Sequence, residues 1–272
     1  MAVTIHPSAV IGQGAVIGEG TVVGPFVVIE SGARLGEGNQ IGAGAYIHGT
    51  VEMGSHNRVF THATLGGEPQ DKGYKGEPTR LIIGSRNIIG EHITIHRGTP
   101  ASAHKTSDAT EVGDDNFLMS AVHIGHDCRL GNHTVVSSNT ILGGHCLVED
   151  RVVFGGGAAV HHKCRIGRMA MVGGQTAVTQ DILPFAMVSG RNSLHGLNRV
   201  GLRRNGFSPA EIAPLKEAYR RFCRQRQGRE DVLAWMASQP ANPLLAAWQA
   251  FLAQASPRGY ARDAHTGPSE EE

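Results

Sequence analysis

Fifteen histidines in a chain of 272 residues are the side chains best suited to acid–base chemistry near neutral pH, because the ordinary pKa of imidazole lies there. Five of them, with His133 set aside, gather between residues 123 and 162. His123 and His126 flank one turn in AVHIGHDC, His145 follows in LGGH, and His161 and His162 come next. Asp127 stands beside His126. Such a cluster can serve as an acid–base site or a metal site, and zinc would need three or four ligands converging within bonding reach. His96, in the run TIHRGT, belongs with this group by position. His6, His48, His56, His104 and His133 read as solvated or hydrogen-bonded structural residues. Nucleophile-elbow, Walker and HExxH patterns are absent, which leaves the common hydrolase, kinase and metalloprotease readings without support.

The elements that must position these histidines show in a repeat of six. An apolar residue stands at every sixth position from Ile5 to Leu65, again at Ile83, Ile89 and Ile95, and, one residue out of phase, from Val112 to Val178. All 26 slots are filled and sixteen are followed by Gly. At 40% apolar composition the chance of this is on the order of 10⁻¹⁰. Period 2 would make ordinary strands and period 3.6 a helix; period 6 means short strands separated by regular turns. The pattern resembles the hexapeptide-repeat left-handed parallel β-helix, in which three hexapeptides make one triangular coil. The left hand is implied by the resemblance, since ordinary parallel crossovers are right-handed. The expected fold is therefore mostly β, with a solenoid over residues 1–191 some 40 Å tall, or about 4.8 Å per coil.

Residues 18 apart then stack. Gly144 lies one coil above His126, and His162 two coils above it, about 10 Å away. Cys128, Cys146 and Cys164 should form a vertical ladder of buried, inert thiols. The G-x-G pairs, such as Gly12 and Gly14, are repeat turns and not phosphate loops, because no helix follows. Two segments break the frame, near 66–82 and 96–111, and should loop out beside the histidines. After Val178 the period is lost. Ser208, Pro209 and Glu211 read as N-cap, first-turn Pro and capping-box Glu of a helix reaching to about Gln227, and more helix follows in DVLAWMA and PLLAAWQAFLAQ. Residues 192–272 are thus a C-terminal helical domain capping the open end of the solenoid, with a tail expected to fray from about 256.

With 25 Lys+Arg against 24 Asp+Glu, the net charge of +1 removes the electrostatic case for a nucleic-acid binder. No window approaches 18 uninterrupted apolar residues, so membrane insertion is not expected, and MAVTIHPSAV does not read as a signal peptide. A cytoplasmic location is the expectation. Four cysteines without CxxC spacing argue against disulfides and structural zinc. Charge is nevertheless uneven: residues 199–229 carry nine Lys/Arg and two Asp/Glu, a surface suited to an acidic partner.

The array, together with QDKGYKGEPTR, TIHRGT, HIGHDC, LGGH and GLNRVGLRRNGF in that order, resembles the UDP-N-acetylglucosamine O-acyltransferase family of lipid A biosynthesis. The resemblance covers the chain to about residue 225. It implies transfer of an (R)-3-hydroxyacyl group from acyl carrier protein to the 3-hydroxyl of UDP-N-acetylglucosamine, the first step of that pathway, without cofactor or metal, by a homotrimer. By residue matching it implies His126 as general base, Asp127 as its orienting group, and the Gly144 N–H as donor to the thioester oxyanion. It further places Gln70, Asp71, His96, His123, His145 and His162 around sugar and acyl chain, Asn198 and Arg204 at uridine and phosphate, and Gly174 with Met171 at the end of the acyl channel. A Gly at 174 favours a longer acyl chain. The chain departs from the better-known pattern at Gly73, His162, Val200 and Asn205.

Other readings make different demands. The same reaction on a 3-amino sugar nucleotide would use the same base. A later N-acyltransferase of the pathway would carry an extra N-terminal domain, whereas repeats here begin at Ile5. A zinc carbonic anhydrase of the same fold would bind metal, and a non-catalytic solenoid would not need the combination of HIGHDC and GLNRVGLRR.

Overall fold

A computed structural model describes residues 2–102, 105 and 107–263; His104 and the end of the tail lie outside the described residues. Strands of mostly two residues stack in three parallel sheets, one per face of a triangular prism. The first face begins Thr4–Ile5, Val22–Val23, the second Val10–Ile11, Val28–Ile29, and the third Val16–Ile17, Arg34–Leu35. Register confirms the coil of 18, as in Ile5↔Val23 and Ile124↔Leu142, and widens to 30 and 29 across the two excursions, as in Leu65↔Ile95 and Ile95↔Ile124. In each strand the anchor points inward and its predecessor outward, so Ile29, Leu65, Ile95, Ile124 and Leu142 are fully buried in one continuous column.

The glycines after the anchors are explained by proximity between coils. A Cβ on Gly12 would lie 2.2 Å from the Ser31 nitrogen, and one on Gly18 2.4 Å from the Gly36 carbonyl carbon. Left-handed backbone occurs two residues later, and side chains often occupy it: Asp127, His145 and Lys163 have φ of 62°, 62° and 63°. Bonds to the coil below offset the strain of that conformation, as where the His145 N–H donates to the His126 carbonyl at 2.8 Å.

Two ladders run inside the corners. Cys128, Cys146 and Cys164 are fully buried and free, and the first two thiols donate to carbonyls of the next coil. Burial pushes the Cys164 thiol up to about 12, as an inert buried sulfur requires. At another corner Asn39, Asn57, Asn87 and Asn116 stack, each side-chain oxygen accepting the backbone N–H of the next member. Thr134 ends this ladder.

Both excursions leave the same edge of the prism, between the second and third faces. They are shorter than the broken frame predicts, because Thr64–Gly67, Arg80–Ile83, Thr94–His96 and Ala109–Val112 are all paired strands. The turns of His126, His145 and His162 occupy that edge too.

Above Val178 a strand at Ala186–Ser189 continues the first face, and Ser193–Leu197 returns antiparallel to it. That hairpin spans the expected domain boundary. Four helices follow: α1 (Arg199–Arg204), α2 (Pro209–Tyr219, running into a wide turn at Arg220–Arg224), α3 (Arg229–Ala237) and α4 (Pro243–Ala253). The capping box of Ser208 and Glu211 is present, with Pro in the first turn. The helices cover the last coil: Trp248 is fully buried and donates to the Pro184 carbonyl at 2.8 Å, while Arg165 binds Asp181 at 2.7 Å beneath the Phe251 ring. Residues 256–263, expected to fray, are instead tied down. Ser256 donates to Asp181, Arg262–Asp263 pairs with Ser193–Leu197, and buried Asp263 accepts from Tyr219.

Replacing Asn57 by Leu removes the acceptor of two Asn87 bonds and a donor to Gly84. The expected loss is about 2–3 kcal/mol, read from the denaturant midpoint; an unchanged midpoint would show that water replaces the ladder.

Candidate active site

The turn after Ile124 begins with Gly125, whose Cβ would strike Gly144 of the next coil, and then presents His126 and Asp127 outward from the edge. Left-handed backbone at Asp127 turns its carboxylate alongside the imidazole of its neighbour. His126 Nδ1 lies 2.7 Å from Asp127 Oδ2. The Asp127 side chain is 1% exposed and that of His126 13%.

The second excursion closes over this pair. The Thr99 N–H donates to Asp127 Oδ1 and the Thr99 hydroxyl to Oδ2, both at 2.8 Å, while Lys105 Nζ makes an ion pair with Oδ1. Lys105 also binds the Thr99 carbonyl and hydroxyl, and the Asp127 N–H donates to the Thr110 hydroxyl. Burial opposes the Asp127 charge, but the bonds from His126, Lys105 and Thr99 outweigh it and hold the carboxyl far below the usual carboxylate range.

The other histidines form a column along the edge. His145 stands one coil above with Nε2 3.5 Å from Asp127 Oδ2 and its ring edge-on to His126, centroids 5.1 Å apart. Burial, with His126, Lys163 and Lys105 nearby, lowers its pKa despite Asp127. His123 faces outward on the second face, bonded through Nδ1 to the Thr94 hydroxyl at 2.8 Å and 5.2 Å from the His96 ring. Burial first, then His96 and His126, depresses its pKa. His96 Nδ1 contacts the Glu68 carbonyl, and Arg97 binds the Gly66 carbonyl and the Tyr74 hydroxyl, so the two excursions are fastened together. Gln70 and Asp71 are exposed on the first excursion; Asp71 accepts the Gly73 N–H. His162 is exposed, its ring 4.0 Å from His161 and its carbonyl held by Arg258.

The remaining expected residues lie elsewhere on the chain. Asn198 is buried as the N-cap of α1, its oxygen accepting from Gly201 and its amide donating to Met169, so its side chain is spent on structure. Arg204 is exposed at the end of α1. Met171 points outward from the first face, and Gly174 lies above Gly156 at the edge between first and second faces. One chain therefore does not bring these residues to His126. Conversely, the sequence reading missed Thr99, Lys105 and Thr110 as the clamp on Asp127; irregular loop residues carry no period by which their contacts could be read.

Among the described residues His126, Asp127 and His145 form the one cluster whose donor atoms lie within 4.8 Å of one another. Its carboxylate already receives Thr99, Lys105 and His126, which is the donor pattern of an oriented base more than of an open ligand set.

A hexapeptide solenoid with a histidine–aspartate pair seated at one edge beneath a loop fits the hexapeptide-repeat transferase class. The profile described as bacterial transferase hexapeptide (six repeats) matches residues 109–144, and that of UDP-N-acetylglucosamine O-acyltransferase, domain 2, matches 181–261. The acyl-[acyl-carrier-protein]–UDP-N-acetylglucosamine O-acyltransferase of Alkalilimnicola ehrlichii is 45% identical over 260 residues, 95% of this chain and 99% of that protein. That of Paraburkholderia phymatum is 48% identical over 84% of this chain and 86% of its own. The solved UDP-N-acetylglucosamine acyltransferase of Bacteroides fragilis superposes with TM-score 0.88 at 35% identity, covering 95% of this chain and 100% of that one. The chain belongs to the UDP-N-acetylglucosamine O-acyltransferase family, and its solenoid is the left-handed β-helix.

A carboxyl held this low contributes stability above its unfolded pKa of about 3.9 and loses it as pH falls further. Asp127→Asn removes that contribution. Melting temperatures measured from pH 7 down to 3 should therefore fall less steeply in the variant than in the wild type, and parallel curves would show that Asp127 is not charged and clamped.

Proposed function

We propose that the chain transfers an (R)-3-hydroxyacyl group from acyl carrier protein to the 3-hydroxyl of UDP-N-acetylglucosamine, opening lipid A biosynthesis, with His126 as general base. The observation that carries this is the placement of two groups side by side. With Nδ1 engaged by Asp127, His126 turns Nε2 toward Gly144, so close that a Cβ there would lie 2.6 Å from it. Among the described residues the Gly144 N–H donates to no backbone carbonyl. A base nitrogen and a backbone donor on neighbouring coils are what thioester attack requires.

In this reading Nε2 takes the proton as the sugar 3-oxygen attacks the thioester carbonyl. The Gly144 N–H stabilises the oxyanion. Collapse of the tetrahedral intermediate breaks the C–S bond, and the imidazolium returns its proton to the departing thiolate, leaving the 3-O-acyl sugar nucleotide and free carrier thiol. Asp127 fixes the imidazole tautomer and stabilises the imidazolium.

The faces support a homotrimer. The third face presents charge, Arg34, Glu52, Arg80, Glu111 and Arg129, with Arg80 bound to Glu52 at 3.2 Å. The first and second faces instead present Phe117, Met171 and Ile141, each at least 40% exposed. Contact between the first face of one copy and the second of the next closes into a ring and would bring Met171 toward the neighbour's histidine column. The acyl channel then lies between subunits, with Gly174 leaving room for a longer chain. Arg199, Arg203, Arg204 and Lys216 make no ion pair among the described residues and suit an acidic carrier, whereas Arg220, Arg221 and Arg224 are neutralised by Glu217 and Asp263. A cytoplasmic location fits both proposed substrates. No described helix is long and apolar enough to cross a membrane.

The test is to incubate the protein with UDP-N-acetylglucosamine and a panel of (R)-3-hydroxyacyl carrier proteins, following acylated nucleotide by mass. His126→Ala should cost about 10²–10⁴-fold in kcat in protein that still folds; unchanged turnover would remove it from the mechanism. Gly144→Ala, whose methyl collides with the imidazole, should fall as far while His126 and Asp127 remain. Product only from a 3-amino sugar nucleotide would move the reading to that acceptor.

A further inference from the structure

The contacts of the second excursion carry more than the expectation of a binding loop. Among the described residues Lys105 is the one lysine or arginine bonded to Asp127, and it reaches the carboxylate oxygen remote from His126. Its ammonium is largely enclosed, 18% exposed, and is held by the Thr99 carbonyl and hydroxyl, while Thr99 itself donates twice to the same carboxylate. Three donors from one loop thus converge on a group whose other partner is the base.

Electrostatics gives this arrangement a function. A buried carboxylate touching an imidazole favours the protonated ring, and a protonated ring cannot accept the sugar proton. A cation on the far oxygen offsets the carboxylate charge felt by the ring and leaves the orienting hydrogen bond in place. The other groups facing the pair work in the same direction or are neutral: His145 from the coil above, Lys163 one coil beyond it, and His123 and His96 from the second face. Among the described groups, Lys105 is the one held by a direct bond.

We propose that Lys105 is a positioning residue for the transfer reaction: through Asp127 it keeps His126 unprotonated and correctly turned. The proposal rests on the reading of His126 as base.

Lys105→Met keeps the stem and removes the charge; Lys105→Arg keeps the charge. In the pH profile of kcat/KM the acid limb of Lys105→Met should move up by about one unit, so that activity at pH 6 falls roughly tenfold while the high-pH plateau stays within severalfold. Lys105→Arg should restore the limb. A plateau that drops with no movement of the limb would reduce Lys105 to a structural anchor, and a profile identical to wild type would remove it altogether. Titration of the His126 ring signal in histidine-labelled protein, wild type against Lys105→Met, reads the same effect without turnover, including in a variant too slow to assay. A shifted ring signal with an unshifted activity limb would show the electrostatic effect of Lys105 on the ring but overturn His126 as the base, and with it the role of Lys105 in transfer. An unshifted ring signal would overturn the inference while leaving the base assignment standing.

Discussion

Strand spacing of about 4.8 Å between successive coils is the constraint on which the rest of this molecule depends. It puts residue n directly beneath residue n+18 and leaves no space for a Cβ where the coils turn, as Gly12 and Gly125 show. It also lets identical polar groups satisfy one another in columns, so that asparagines can be buried at one corner and thiols at another without orphaned donors along most of their length. Stability is then additive along the axis: each coil needs its neighbours, and the last needs a cover, which Trp248 and the Arg165–Asp181 pair supply.

The same stacking creates the reactive edge. A turn position that costs backbone strain in most contexts is repeated in every coil, and at one edge it is occupied by Asp127, His145 and Lys163. Because the turns are superimposed, an imidazole on one coil meets a backbone glycine on the next. No loop has to be folded into place to bring His126 beside Gly144. What the loops add is selectivity in charge. Two segments expelled from the helical path at this edge are fastened to each other through Arg97 and Tyr74, and one of them returns over the His126–Asp127 pair to clamp its carboxylate. The scaffold sets the distance between coils, and the loop supplies the bonds that hold the Asp127 carboxylate.

Residues of the expected nucleotide and acyl-end positions remain distant from His126 within one chain, and the two apolar faces remain open. These facts belong together. In the proposed homotrimer, contact between the first and second faces of neighbouring copies would cover these apolar side chains and draw the separated positions together.

Periodicity made most of this legible in the amino-acid order alone. Anchors from Ile5 to Val178, the coil of 18, the cysteine ladder, the capping box at Ser208 and the adjacency of His126 to Gly144 all follow from local spacing, because each coil repeats the geometry of the one before. The clamp of Thr99 and Lys105 on Asp127, the capture of residues 256–263 by Asp181 and Tyr219, and the structural use of Asn198 were decided only by the tertiary structure. Each joins segments of irregular chain, where no period relates sequence separation to distance and the partner is whichever polar group the folded surface happens to bring within reach.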